Sequence, residues 1–176
     1  MRDVESVSRG SEKEQDMERH LYAYEYVGLH YDDIVALLQR VPTVILQPAT
    51  EQASNRAHEV LSSLVVPIGG FQLARDVTVS VGELDRLEER RAKLPMKWHA
   101  SANQGLFPVM DAHLEIAALS LEEPSTQVSI VGSYVPPVGV VGALGDSVGA
   151  VHRLAEAAVH RLVRDVCSRL AEELDT

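Results

Sequence analysis

Residues 146–174 read DSVGAVHRLAEAAVHRLVRDVCSRLAEEL, and the spacing of their apolar side chains decides the fold class. These apolar residues recur every three or four positions, as on one face of an α-helix: they are Val148, Val151, Ala155, Ala158, Leu162, Val166, Leu170 and Leu174. Charged residues occupy the opposite side: Arg153, Glu156, Arg161, Asp165 and Arg169. The pattern predicts a C-terminal helix of about 40 Å, capped by Asp146 or Ser147 and long enough to cross a five- or six-stranded sheet.

Before this helix the apolar period changes from 3.6 residues to two, which is typical of strands with one buried face. Three such stretches follow one another, and their apolar members are Met96, Trp98, Ala100 and Ala102, then Met110, Ala112, Leu114 and Ile116, then Val128, Ile130, Gly132 and Tyr134. A turn at residues 122–124 separates the last two stretches. The alternation predicts an antiparallel run of strands.

Matching the polarity of cross-strand neighbours predicts a register for the first two of these strands. Trp98 would lie opposite Leu114, and Lys97 opposite Glu115. One row of the sheet would then consist of small residues only: Ala100, Ala112 and Gly132. Such a row leaves a furrow into which a helix or a ligand can fit.

The N-terminal half predicts shorter elements. Residues 21–27 alternate as a strand that places three tyrosines on one face: Tyr22, Tyr24 and Tyr26. Residues 31–41 predict a short helix that Pro42 interrupts, and residues 53–64 predict a second one. Residues 77–81 alternate as a strand. Residues 83–93 carry four acids and four bases and fit either a hairpin connection or a helical turn.

Length and charge limit the classes of function. The 176 residues fit one domain, with residues 1–20 as a disordered tail and residues 21–176 as the folded part. A net charge of −10 repels phosphate backbones, so we expect no nucleic-acid partner. We also expect no signal peptide and no membrane span. With Cys167 as the single cysteine, no internal disulfide can form, and a cytoplasmic location is expected.

The predicted order of elements, with one strand, two short helices, antiparallel strands and a long terminal helix, is the helix-grip arrangement. Trp98 and four further segments resemble the SRPBCC or START-like superfamily, especially its small single-domain actinobacterial-type members: residues 106–112, 132–139, 146 and 152–156. The resemblance implies an α+β fold in which a curved antiparallel sheet wraps around the C-terminal helix. It also implies an apolar cavity between sheet and helix that holds lipids, sterols or polyketides. Some relatives catalyse aromatisation or cyclisation, and others activate chaperones or associate with ribosomes.

Ten residues are the candidates for contact with a ligand in such a cavity. They are Tyr24, Trp98, Ala100, Phe107, Met110, Ala112, Gly132, Tyr134, His152 and Ala155. The aromatic and soft apolar members would form its wall, and the small residues would leave space. Tyr24, Tyr134 or His152 would orient the ligand, and His152 could also act as an acid or base.

Other chemistries find less support. Asp111 and Glu115 lie four residues apart on one strand, which is too far for a glycosidase pair. His99 and His113 would face each other beside Asp111, but an outward polar ladder predicts solvent exposure rather than a metal site. The glycines of residues 136–149 lack a phosphate-binding motif and suit a flexible gate, so we expect no cofactor. Cys167 has no basic partner that would make it a nucleophile.

The sequence therefore predicts binding of a small hydrophobic molecule between the sheet and the C-terminal helix. Two alternatives stay open: a polyketide cyclase, dehydrase or aromatase-like enzyme, and a protein-interaction module with a closed cavity. No pair of acid and base residues in the sequence requires an enzyme. The exposed edge of the first strand allows a homodimer.

Overall fold

Six strands and two helices are formed by the residues that the computed structural model describes, which are 18–43, 45–46, 77–87, 90–100, 110–120, 122–135 and 148–175. The strands are β1 (Arg19–Val27), β2 (Val77–Val81), β3 (Asp85–Leu87), β4 (Arg91–Ala100), β5 (Met110–Ala118) and β6 (Thr126–Tyr134). The helices are α1 (Tyr31–Arg40) and α2 (Val148–Leu174). Neither helix is both long and apolar enough to cross a membrane, as far as the described residues go.

All the strand pairs are antiparallel, in the order β1-β6-β5-β4-β2, and β3 pairs with β4. With α2 packed on the sheet, the chain has the predicted α+β helix-grip fold. The first of the two predicted short helices is α1, which ends at Arg40 before Pro42. The second, at residues 53–64, lies outside the described residues. β1 begins at Arg19, two residues before the predicted start of the folded part.

The two faces of the sheet differ as the alternation predicted. On the inner face, which α2 covers over β1 and β6, a buried row crosses four strands: Ala23, Ile130, Leu114 and Leu94. On the outer face, the row one residue further along consists of Tyr24, Ser129, Glu115 and Lys93. Each strand therefore places its apolar set in one layer, which buries the core against the helices.

The predicted register between β4 and β5 is wrong by four residues. Trp98 lies opposite Met110, and Leu114 lies opposite Leu94. Ala100 pairs with Val77 on β2, so Ala100, Ala112 and Gly132 do not share a row. Met96 takes the place of Ala100 in that row. Because four is an even number, the shift leaves every side chain on its predicted face, and polarity matching could not detect it.

The described part of residues 83–93, which omits 88 and 89, is paired as in a hairpin rather than wound as a helical turn. Asp85 to Leu87 pair with Lys93 to Arg91. Arg90 adopts a φ of 54°, the left-handed conformation that tight connections use. Its guanidinium also donates to the Asp32 carboxylate of α1 across 3.1 Å. This charged segment therefore extends the sheet and ties it to α1.

A proline is tolerated inside β4 because pairing on that side is interrupted. The backbone N–H of Gly82 donates to the carbonyl of Pro95 across 2.8 Å, just after β2 ends. The N–H and C=O of one strand residue point to the same side, so the N–H that Pro95 lacks would have pointed to the break between β2 and β3. The ladder between β4 and β5 is left intact.

The long helix α2 follows β1 instead of crossing the sheet from edge to edge. Near its start, His152 contacts Tyr134, which lies opposite Arg19 of β1. Further along, Arg164 pairs with Glu25 of β1 at 3.8 Å. From His152 to Arg164 the helix rises about 18 Å. From Arg19 to Glu25 the strand advances about 20 Å, so the two elements run side by side in the same direction.

One residue of α2 lies on the side opposite to that predicted. Asp165 is buried, with only 7% of its side chain exposed, and Nε of Arg161 donates to its Oδ2 at 3.0 Å and lies 2.9 Å from its Oδ1. The buried face extends around the helix to include Val159, Val163 and Cys167. It is wider than the predicted stripe, because α2 packs against β1, β6 and α1 at once.

Candidate ligand-binding site

Three of the candidate residues lie in one row at the end of the inner face. Tyr134 of β6, Met110 of β5 and Trp98 of β4 are successive partners across the sheet, and Val79 of β2 follows them. All four are buried. We call these four residues the end row. It combines two aromatic rings with the soft thioether of methionine, a composition that suits the wall of a site for apolar molecules.

α2 adds a polar group at one end of the end row. The rings of Tyr134 and His152 stack with their centroids 6.3 Å apart and their planes at 9°. The Tyr134 hydroxyl lies 3.3 Å from Nδ1 of His152, and Nε2 of His152 lies 3.5 Å from a Glu156 carboxylate oxygen. A carboxylate only accepts, so this neighbour favours the tautomer with its proton on Nε2. In a neutral ring Nδ1 then accepts from the tyrosine hydroxyl.

The phenol of Tyr134 stays protonated at neutral pH. Burial raises the pKa of Tyr134, the charge of Arg19 lowers it by a smaller amount, and Glu156 raises it. Tyr134 is only 2% exposed, whereas the His152 side chain is about one-third exposed. The three residues therefore connect a buried hydroxyl donor to an exposed carboxylate through an imidazole ring.

The structure brings most of the other described candidates to the same side of the sheet. Ala112 and Gly132 are partners in the row next to the end row. Ala100 pairs with Val77 in the row directly beyond the end row, two residues after Trp98 on β4. Ala155 lies on α2 one turn after His152 and packs against the core. The predicted pairing of Ala112 with Gly132 is therefore correct, although the row that contains them differs.

Two candidates do not join this group. Tyr24 lies on the outer face and is 45% exposed, because residues of one parity on β1 point away from α2. Phe107 lies outside the described residues, as do the glycines of residues 136–147.

The predicted furrow is occupied at its centre. A methyl group added at Gly132 would overlap the Ala112 side chain and would lie 2.7 Å from the Asp111 carbonyl oxygen. The missing side chain of Gly132 therefore allows β5 and β6 to approach closely, rather than opening space for a ligand.

The outer-face acids Asp111 and Glu115 pair with neighbouring side chains. Asp111 pairs with Lys97 at 2.9 Å, and Glu115 accepts from His113 at 3.0 Å and pairs with Arg91 at 3.8 Å. His99 and His113 are not opposite each other, because Pro95 is the β4 partner of His113. Among the described residues, no group of three or more His, Cys, Asp or Glu could hold a metal ion.

Two polar residues near the end row were missed by the sequence interpretation. Glu156 follows His152 by four residues, a spacing that places both on one helix face and could have revealed the pair. Arg19 fell within the predicted tail, yet it lies directly opposite Tyr134. No local pattern could have shown that pairing, since it joins residues far apart in the chain.

Cys167 is not a candidate nucleophile. Burial, with a smaller contribution from Glu25, raises the pKa of its thiol to about 12. We therefore expect DTNB at pH 8 to label native Cys167 at least about 100-fold more slowly than Cys167 in the urea-unfolded chain, because only the thiolate reacts. Equal labelling rates would contradict this burial.

The raised pKa of Cys167 also predicts that the folded protein becomes less stable at alkaline pH. The folded protein holds the thiol proton more tightly than the unfolded chain, in which a thiol ionises near about pH 8.5. The free energy of unfolding should therefore fall as the pH rises from that value toward the folded pKa of about 12. Urea unfolding across this pH range should show a smaller fall in Cys167→Ala than in the wild type.

Comparisons with known proteins find similarity to solved structures alone. No family model matches the chain, and no curated protein matches it. The chain is similar to a hypothetical protein from Helicobacter pylori, with 11% identity and a TM-score of 0.40 over 83% of this chain and 86% of that one. It is also similar to the Zhui aromatase/cyclase from Streptomyces sp. R1128, with 14% identity and a TM-score of 0.36 over 89% and 96% of the two chains. Norcoclaurine synthase from Thalictrum flavum shares 13% identity and a TM-score of 0.38 over 86% and 91%. No activity or ligand transfers to this chain at such values, and its membership of the SRPBCC superfamily stays a prediction.

Proposed function

We propose that this protein binds a small hydrophobic molecule, such as a lipid, a sterol or a polyketide-like compound, between the inner face of the sheet and α2. One observation carries the proposal: Tyr134 ends an apolar row of the sheet and also bonds to His152 of the helix. A ligand along the end row would bury apolar surface against Met110 and Trp98. The same ligand would meet hydrogen-bonding groups at one end only, which sets its orientation.

The first test is native mass spectrometry of the purified full-length protein, followed by organic extraction of whatever is released. A stoichiometric hydrophobic adduct supports the proposal and gives the chemical class of the ligand. A clean apo mass, together with no mass shift on incubation with lipids, sterols and polycyclic polyketides, would overturn it in favour of the interaction module with a closed cavity.

Trp98 provides a second measurement, because it is the single tryptophan of the chain and belongs to the end row. cis-Parinaric acid, a fluorescent fatty acid, accepts excitation energy from a nearby tryptophan. We expect saturable energy transfer with one probe per chain and displacement by the extracted ligand. Transfer that does not saturate would indicate surface adsorption and would contradict a defined site.

Removing one hydroxyl tests the polar end of the site. We expect Tyr134→Phe to weaken binding of a ligand with a carbonyl or carboxylate group by about tenfold, the effect of one hydrogen bond. The matched control is Tyr24→Phe, which removes the same atom from the outer face and should leave the affinity unchanged. Equal losses in both variants, measured by the parinarate titration, would show that Tyr134 does not contact the ligand.

A polyketide cyclase-like enzyme is a second candidate function, because His152 lies between the Tyr134 hydroxyl and the Glu156 carboxylate and contacts both. In this arrangement Tyr134 would donate its proton to a carbonyl oxygen of a polyketide-like substrate. His152, after taking a proton from solvent so that both ring nitrogens are protonated, would return one proton from Nδ1 to the phenolate. His152→Gln should then abolish turnover of a poly-β-carbonyl substrate while leaving its binding intact. Unchanged turnover would remove His152 from the mechanism.

A further inference from the structure

Three tyrosines form a continuous aromatic surface on the outer face of β1. Tyr22, Tyr24 and Tyr26 are 54%, 45% and 58% exposed. Their ring centroids are 5.7 Å apart for the first pair and 5.3 Å apart for the second. Among the described strands β1 is an edge strand, since β6 is its only partner there. A long edge strand with aromatic side chains is a template for pairing with another strand.

We propose that β1 pairs antiparallel with β1 of a second copy of this chain, about a two-fold axis that passes through Tyr22. The two sheets would then join into one continuous sheet across the interface. This assignment does not depend on ligand binding. The charged and apolar residues along β1 favour a second copy of the chain as the partner. They also favour one register among the symmetric antiparallel pairings of β1 with itself.

Two-fold symmetry allows only a few registers between β1 and the same strand of a second copy. In each of these pairings the axis lies between the two copies of one residue, and every other residue lies opposite one that is an even number of positions away in the sequence. Opposite side chains are then on the same face of the joined sheet, and each backbone N–H can meet a C=O of the partner strand. With the axis at Ala23, Leu21 would oppose Glu25 of the partner subunit, and with the axis at Tyr24, Ala23 would oppose that glutamate. Both registers place a carboxylate against an apolar side chain.

The axis at Tyr22 avoids this conflict. Arg19 then lies opposite Glu25 of the partner subunit, and Leu21 lies opposite Ala23 of the partner subunit. By symmetry each charge pair occurs twice. Arg19 is exposed and has no ion pair with any other described residue, while Glu25 is half-buried beside Arg164 at 3.8 Å. Opposite charges placed across strands favour this register, whereas like charges would oppose it.

Site-specific cross-linking tests the dimer and its register together. In a Cys167→Ala background, Tyr22→Cys places the two sulfur-bearing carbons about 4.5–5.5 Å apart at the axis, within reach of a disulfide after a small shift. The matched control is Tyr24→Cys, on the same face, whose two copies would be separated by about 13 Å along the strands. Light scattering during gel filtration of the wild-type chain should give a mass of twice 19.3 kDa.

Each result decides the proposal. A dimeric mass with cross-linking of Tyr22→Cys and none of Tyr24→Cys is expected. A monomeric mass of the wild type overturns the dimer. Cross-linking of Tyr24→Cys as fast as that of Tyr22→Cys overturns the register, because the axis would then lie elsewhere or the contact would be random.

Two substitutions of Arg19 test its pairing with Glu25 of the partner subunit. Arg19→Glu places two carboxylates opposite each other at both ends of the interface and should weaken dimerisation by at least about tenfold. Arg19→Lys keeps the charge and should remain dimeric under the same conditions. Equal dissociation constants for the wild type and Arg19→Glu, measured by analytical ultracentrifugation, would contradict the pairing with Glu25 of the partner subunit.

Discussion

Replacing Gly132 with alanine is expected to lower the free energy of unfolding by about 3 kcal/mol, at the upper end of the range for overpacked interiors. The added methyl group would overlap the Ala112 side chain and lie 2.7 Å from the carbonyl oxygen of Asp111. Both groups belong to the neighbouring strand β5, so relief requires β5 and β6 to move apart. Urea unfolding followed by circular dichroism measures the loss.

Two further variants make this result specific. At Gly28 an added methyl group would meet its nearest atom, the Pro124 carbonyl oxygen, at 3.8 Å, an ordinary contact. Gly28→Ala should therefore change stability by less than about 0.5 kcal/mol. Ala112→Gly combined with Gly132→Ala should recover part of the loss, because one of the two overlapping methyl groups is gone. A Gly132→Ala variant as stable as the wild type would show that the strands are not closely packed at this point.

Truncation of Leu114 to alanine should cost about 3 kcal/mol, since a fully buried leucine loses its transfer free energy and leaves a cavity. Leu114 is inaccessible to solvent and occupies the centre of the inner face, between Ile130 and Leu94. On β4, β5 and β6 the residues of the rows on either side of it are apolar or glycine as well, which leaves little freedom for the strands to close the gap. The measurement is again urea unfolding by circular dichroism.

A double-mutant cycle turns this variant into a test of the register. In the structure Leu114 lies opposite Leu94, so Leu94→Ala and Leu114→Ala should be coupled by at least about 0.5 kcal/mol. Trp98 lies four residues further along β4, about 13 Å away, and Trp98→Phe should be additive with Leu114→Ala. Coupling to Trp98 and none to Leu94 would favour the register that polarity alone predicted.

The candidate site was predicted in part. Trp98, Met110 and Tyr134 were each selected for residue type, and the structure places them in one row. His152 was selected for its position near the start of the helix, and it contacts Tyr134. Tyr24 was selected for the same reason as Tyr134 but lies on the outer face. Residue type indicates which side chains suit a ligand, whereas the face of β1 that meets α2 depends on packing between distant segments.

The charged residues show the same limit. Asp165 belongs to the polar set of the helical repeat, yet it is 6% exposed. Arg161, one turn earlier, neutralises it and makes that burial tolerable. The width of the buried face of α2 is set by three neighbouring elements rather than by the helix's own sequence.

The local sequence pattern is sufficient to predict the strands around the end row, the long C-terminal helix and the buried faces of β4, β5 and β6. These properties depend on side-chain periods of two and 3.6 residues, which are local and repeat along each element. The register of β4 against β5, the direction of α2 along β1 and the contact between Tyr134 and His152 depend instead on packing between distant segments. A register shift by an even number of residues leaves every local pattern unchanged, so it is the packing of the whole core, including Leu94 against Leu114, that selects one arrangement.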